Sequence, residues 1–264
     1  MPNITYLFCV TTAASGFTPE GTGFGAGAVA SAGFDGLSAI FCEVPQDDFT
    51  GEAADAKMKE LPWVAPRAAR HEEVILQAMG FGPVLPVRFG TVFSTQQVMI
   101  KTLTAVSGKI RTFLEFISDK NEWDVRGFID KNGAKKLIQE KMFAESSEDL
   151  EKLPPGRRYF MEQRMKAGVE KKLVETLGGL SQTALDSLTE TACGSFERRL
   201  VGRDVAGGDM DMFFHFAFLV NKDAAGKFAS LVKSLSLGLG DCGANFELTG
   251  PWPPYSFSPS LRED

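Results

Sequence analysis

Acid–base chemistry near neutral pH falls first to histidine, and this 264-residue chain has only two. His71 lies in the run Arg70-His71-Glu72-Glu73, which begins like the HExxH zinc helix, but Ile75 stands where the second ligand belongs and the zinc reading fails. The expectation is a histidine that hydrogen-bonds within a helix packed on its sheet. His215 falls in the strand-like run from Met210 to Val220, on the side of Phe213, Ala217 and Leu219, with no partner acid nearby in sequence. Contact with the other domain is expected for that face, and a pocket is the alternative. Gly21, Gly23, Gly25 and Gly27 invite a phosphate-loop reading, yet they follow Pro19 and Glu20 and lead toward another strand rather than a helix, so a flexible loop is expected. Cys9, Cys42, Cys193 and Cys242 form no CxxC pair and read as reduced core thiols. No GxSxG elbow is present, and Glu145, Glu148, Asp149 and Glu151 form the charged run of a solvated loop. The expectation is a protein with no catalytic, cofactor or metal residues.

The elements that would position these groups follow from periodicity. Strand-like runs cover Ile4 to Val10 and Leu37 to Val44, with a Gly-rich segment between them. Helical spacing marks Asp47 to Lys59 and Pro66 to Met79, with Pro62 and Pro66 as the break. Val84 to Phe89 reads as a short buried strand, and Ser94 as the N-cap of a long helix whose stripe is Val98, Val106, Ile110, Phe113 and Ile117. Glu122 to Asp130 alternates as a half-buried strand, Trp123, Val125 and Ile129 on one side and Glu122, Asp124, Arg126 and Asp130 on the other. A long helix carrying Met161, Met165, Val169, Leu173, Leu177, Leu180, Ala184 and Leu188 follows. Strands over Ser195 to Val201 and Met210 to Val220, a helix from Asp223 to about Leu237 and a strand from Ala244 to Gly250 complete a β-α-β-β-α-β order, the ferredoxin-like motif. The fold class expected is α+β in two domains. An N-terminal α+β sandwich, a related or degenerate form of the motif, covers 1–120, a ferredoxin-like domain covers 121–250, and an extended Pro/aromatic tail covers 251–264.

Composition excludes several function classes. A net charge of −6 gives no general pull toward nucleic acid or anionic lipid, and the pairs Lys135-Lys136, Arg157-Arg158, Lys171-Lys172 and Arg198-Arg199 are short and balanced by nearby acids. Neither nucleic acid nor membrane is expected as a partner. No stretch approaches the length of a membrane span, and the first ten residues do not resemble a secretory signal. The count of 22 Phe against 3 Trp and 3 Tyr points to filled cores and apolar contact surfaces.

Three stretches stand out by their order and spacing. The first is Trp63, Arg67 and His71-Glu72 followed by Val84-Leu85-Pro86-Val87-Arg88-Phe89-Gly90-Thr91-Val92-Phe93. The second is Glu122-Trp123 and, further on, Pro155-Gly156-Arg157-Arg158-Tyr159 opening the long helix. The third is the ending Gly250-Pro251-Trp252-Pro253-Pro254-Tyr255-Ser256-Phe257. Together they resemble the GvpF/GvpL family of gas vesicle proteins. The resemblance implies a cytoplasmic, gas-vesicle-associated protein without known catalysis, which contacts the shell protein GvpA and other gas vesicle accessory proteins. The rival readings are an enzyme or small-molecule binder on a ferredoxin-like scaffold, and a self-associating scaffold. The residues carrying the resemblance, Trp63, Arg67, His71, Arg88, Phe89, Gly90, Thr91, Tyr159, Trp252, Pro254, Tyr255 and Phe257, have structural readings beside partner-binding ones. Arg88 is expected to leave a buried strand and pair with Glu72 or Glu73, Gly90 to permit a tight turn, and Thr91 to begin the next helix. The tail is expected to be a stiff extended strap packed across the two domains, with partner docking by its aromatics as the alternative.

Overall fold

From Ile4 to Val10 every residue is buried, on both faces of the strand, which marks the centre of a sheet rather than its edge. The computed structural model describes residues 2–17, 21–24, 27–146, 153–202, 210–238 and 243–261. The chain divides into two units, Met1–Glu122 with Pro251–Asp264, and Trp123–Gly250. It is an α+β protein with one sheet built mainly from each unit's strands.

In the first unit β1 (Asn3–Thr12) takes the centre, with β2 (Ala30–Phe34), β3 (Leu37–Pro45) and β4 (Val84–Pro86) in the order β2-β3-β1-β4, and β5 (Val92–Phe93) also paired to β1. These pairings are antiparallel. The helices are α1 (Gln46–Phe49), α2 (Glu52–Lys57), α3 (Leu61–Met79), α4 (Gln96–Ala105) and α5 (Ser107–Ile117). Several expectations are corrected here. The helix expected over 47–59 is two short pieces, because Gly51 takes a φ of 82° between them. Pro66 does not break α3, which starts at Leu61; the amide it lacks would have reached only the carbonyl of Pro62 in the first turn. The helix expected after Ser94 is capped by Thr95, whose side chain accepts from the Val98 amide, and it is interrupted at Val106. Val98 itself is exposed, off the buried stripe.

The Gly-rich segment is not a free loop where it is described. Thr22 bridges Ala28, and Phe24 enters the core. A Cβ on Gly23 would lie 2.5 Å from the Cys42 sulfur, and one on Gly27 2.5 Å from the Glu43 carbonyl oxygen. The glycines let this backbone lie directly against β3, which periodicity alone does not reveal. Residues 25 and 26 lie outside the described residues.

The strands and helices leading through the second unit are β6 (Lys120–Ile129), α6 (Lys131–Glu145), α7 (Pro155–Thr189), β7 (Gly194–Glu197), β8 (Asp211–Asn221), α8 (Ala225–Gly238) and β9 (Ala244–Trp252), with strand order β7-β8-β6-β9. Phe214, Phe218, Phe228 and Phe246 fill the main core with Ala184 and Leu188 of α7. Gly127 makes this possible: a Cβ there would stand within 3.0 Å of the side chains of Phe213, Phe214 and Phe246. The strand expected to reach Val201 ends at Glu197. Glu148, Asp149, Glu151 and Cys242, and most of the turn expected after Gly202, lie outside the described residues. Cys9 and Cys42 are buried free thiols, whereas Cys193 is exposed, its thiol donating to Asn221 Oδ1 at 3.3 Å; a position just before an edge strand leaves it uncovered.

Gly178 and Gly179 sit inside α7 with nothing within 4 Å of the Cβ each would carry. Packing does not demand them, and helical glycine costs about 0.5–1 kcal/mol against alanine. The variant Gly178→Ala/Gly179→Ala is therefore expected to be more stable by roughly 1–2 kcal/mol in urea unfolding monitored by circular dichroism.

Candidate functional site

Tyr6 of β1 is fully buried and has one hydroxyl to satisfy. His71 of α3 comes within hydrogen-bond distance, with Nδ1 2.9 Å from Tyr6 Oη and Nε2 3.0 Å from the Val87 carbonyl oxygen. A carbonyl can only accept, so Nε2 carries the proton and Nδ1 accepts from the tyrosine. The tyrosine oxygen in turn accepts from the Gly90 amide at 3.0 Å. The result is one directed chain from Gly90 through Tyr6 and His71 to Val87, every member neutral. Burial lowers the His71 pKa from 6.5 to about 4 against the opposing effect of the Val87 bond, and burial also raises the Tyr6 hydroxyl.

The chain explains the signature turn. Gly90 has a φ of 84°, a region that favours glycine, and this aims its amide at Tyr6. Thr91 does not begin a helix; its hydroxyl donates to the Arg88 carbonyl at 2.6 Å, and its own carbonyl accepts from Leu7 at 3.0 Å. Phe89 packs against Tyr6, Phe24, Phe49 and His71, with centroid separations from 5.8 to 6.2 Å. Trp63 meets Phe49, and the Arg67 guanidinium lies 4.0 Å over the Trp63 ring while donating to the Trp63 carbonyl at 3.1 Å. Arg67 Nε is buried and makes no hydrogen bond.

The C-terminal segment belongs to this unit. Tyr255 Oη donates to Glu72 Oε2 at 2.9 Å. The backbone amide and hydroxyl of Ser256 donate to the two oxygens of Glu122, each at 2.9 Å. Burial raises the Glu72 carboxyl, opposed by the Tyr255 bond, and burial pushes the Tyr255 hydroxyl up. Pro254 is buried, Phe257 is half-buried, and Tyr255–Phe257 form a single 3-10 turn instead of continuing an extended strap. Two prolines exclude an α-helix but not one tight turn after them.

Two residues of the polar side expected for β6 are also buried: Glu122 is 0% and Asp124 1% exposed, whereas Arg126 is half-buried and Asp130 exposed. Serine donors satisfy the first carboxylate; cations satisfy the second. In the second unit His215 Nε2 stands 3.1 Å from Asp124 Oδ1, Arg126 Nε is 2.7 Å from Oδ2 and an Arg198 terminal nitrogen 3.4 Å from Oδ1. His215 Nδ1 faces the Arg199 carbonyl at 3.0 Å. Burial alone would raise Asp124, but the His215 bond and the charges of Arg198, His215 and Arg126 hold it below the usual carboxylate range. Sequence reading missed this pairing because the two residues are 91 positions apart; the adjacency of β6 and β8 was the only signal for it.

Trp63, Arg67, His71, Phe89, Gly90 and Tyr255 thus belong to one packed polar and aromatic cluster. Arg88 does not join it. It is exposed and without an ion pair among the described residues, since Glu72 is taken by Tyr255 and Glu73 by Arg70. Trp252 is 36% and Tyr159 61% exposed. Both buried histidines have both ring nitrogens engaged, and no group of three metal-ligating side chains occurs among the described residues.

A family model described as gas vesicle synthesis protein GvpL/GvpF matches residues 4–259. Gas vesicle protein L of a Streptomyces strain is 27% identical over 262 residues, covering 99% of this chain and 95% of the relative. Among solved structures, GvpF from Anabaena aligns with a TM-score of 0.70 at 20% identity, covering 98% of this chain and 99% of that one. GvpF from Microcystis aeruginosa aligns at 0.66 and 18% identity, covering 97% and 99%. These last two similarities speak to the fold alone.

The substitution Tyr6→Phe strands His71 Nδ1 and the Gly90 amide, and is expected to cost roughly 2–4 kcal/mol in urea unfolding at neutral pH. Because the folded His71 pKa is depressed, its neutral form contributes fully above about 6.5 and that contribution is lost as pH falls toward about 4, a loss of at most roughly 3 kcal/mol. Glu72, shifted the other way, opposes it.

Proposed function

Since the chain belongs to the gas vesicle synthesis protein GvpL/GvpF family, we propose that it works by binding rather than catalysis, as a cytoplasmic accessory protein that engages the shell protein GvpA and other Gvp proteins during vesicle nucleation or growth. The single observation that carries this reading is the family match over residues 4–259. The chemistry of the two buried histidines supports it. Each is enclosed with both nitrogens occupied, so neither is poised to move a proton to a substrate. No helix among the described residues is long and apolar enough to cross a membrane.

In this reading the signature residues divide into two groups. His71, Phe89, Gly90, Pro254, Tyr255 and Phe257 maintain the first unit, whereas Arg88, Trp252 and Tyr159 are exposed and present their side chains to a partner. The physical need is clear, because a shell subunit with an apolar gas-facing surface aggregates unless a partner covers or aligns it. The strand order β7-β8-β6-β9, with one helical connection after β6 and another after β8, supports reading the second unit as ferredoxin-like. The domain organisation that goes with it is an N-terminal domain closed by its own C-terminal segment.

Co-purification with GvpA, beside an unrelated acidic protein, tests the reading. GvpA is expected to come down above the control, and Arg88→Ala/Trp252→Ala, at exposed positions, to reduce capture several-fold while circular dichroism stays unchanged. Capture no greater than the control overturns direct binding of GvpA.

A further inference from the structure

Helix α6 is 15 residues long yet buries only Ala134. Its apolar stripe continues through Leu137, Ile138 and Met142, all half-exposed, at the three- and four-residue steps that normally face a core. Opposite them runs α7: Lys135 pairs with Glu170, and a Cβ on Gly168 would lie 3.6 Å from the Met142 methyl. The two helices hold open a cleft of about 170 Å³ floored by Leu137, Ile138, Met142 and Leu173. Pockets for drug-sized molecules run to about 300–1,000 Å³, so this one suits apolar side chains of a polypeptide better than a cofactor.

Charge identifies the occupant. Lys141, Lys172 and Glu145 form the rim. Lys135 and Lys171 are paired to Glu170 and Glu175, whereas Lys141 and Lys172 have no such partner among the described residues. Residues 131–175 carry eleven Lys and Arg against eight Asp and Glu, a net of +3 in a chain whose total is −6. A basic rim around an apolar floor, on an otherwise acidic molecule, complements a segment that is apolar on one side and acidic on the other.

We propose that the cleft between α6 and α7 is a docking site for an acidic amphipathic helix of another protein. The partner's apolar side chains seat on Leu137, Ile138, Met142 and Leu173, and its carboxylates meet Lys141 and Lys172. Tyr159, exposed on the same α7 and within about 40° of Leu173 around the helix, extends the surface toward the helix N-terminus. The site goes beyond the assembly reading, and its test contains no other gas vesicle protein, so either can fail alone.

The test is fluorescence anisotropy of the full chain with a labelled helical peptide bearing Leu at i, i+3, i+4 and i+7 and Glu on its other face. A matched peptide with Lys in place of Glu, and vesicles of phosphatidylglycerol and phosphatidylcholine, serve as alternatives. The Glu peptide is expected to bind at least about tenfold more tightly than the Lys peptide. Lys141→Glu/Lys172→Glu, both at exposed positions, is expected to weaken it about tenfold or more, and Leu137→Glu likewise. Equal binding of the two peptides, no effect of the lysine reversal, binding to the vesicles but not to the peptide, or sedimentation showing the face closed by a second copy of this chain would each overturn the proposal.

Discussion

A buried imidazole stays folded cheaply only if it is neutral and both of its nitrogens find the right kind of partner. His71 meets that condition by donating to Val87 and accepting from Tyr6. Everything distinctive about the first unit depends on this arrangement. It ties α3 to the central strand β1 and to the turn between β4 and β5, and it dictates the left-handed backbone at Gly90. Phe89, adjacent to that glycine, is then delivered into the ring cluster around Tyr6. The signature sequence is thus a description of one hydrogen-bonded chain and the aromatic packing that shields it from water.

The carboxylates at 122 and 124 show two answers to the same problem. A buried charge must be met by hydrogen bonds or by opposite charge. Glu122 receives an amide and a hydroxyl from Ser256, which anchors the C-terminal segment. Asp124 receives His215 and two arginines, which join β6 to β8 and to the residues following β7. Both sites are saturated by the protein's own groups. Polar groups that are saturated and enclosed rigidify a scaffold but offer nothing to a substrate, and the exposed apolar and basic features lie elsewhere, on Arg88, Trp252 and the α6–α7 face.

Much of the fold was legible in the sequence. The central strands and the long helix α7 follow from periodicity, because those elements bury one clean stripe or a continuous apolar run. β2 was not legible, since Ala, Ser and Gly carry little strand signal and it is the antiparallel pairing with β3 that orders the segment. The burial of Glu122 and Asp124 was hidden for a different reason. Alternation predicts that the charged side of β6 faces water, and partners distant in sequence, Ser256 for Glu122 and His215 and Arg198 for Asp124, reverse it at those two positions. At the candidate site, His71 as a helix histidine packed on its sheet and Gly90 as a turn glycine were readable from type and context. The expected pairing of Arg88 was not realised, because Tyr255 and Arg70 reach Glu72 and Glu73 first.

The state of the His71 ring is the most direct test of the chain on which the first unit rests. With only two histidines in the sequence, long-range proton–nitrogen NMR correlation can follow each ring from about pH 8 to about pH 5. His71 is predicted to stay neutral with its proton on Nε2 throughout that range, and to begin titrating only as pH nears about 4. A proton on Nδ1, or a midpoint near the ordinary value of about 6.5, would contradict it.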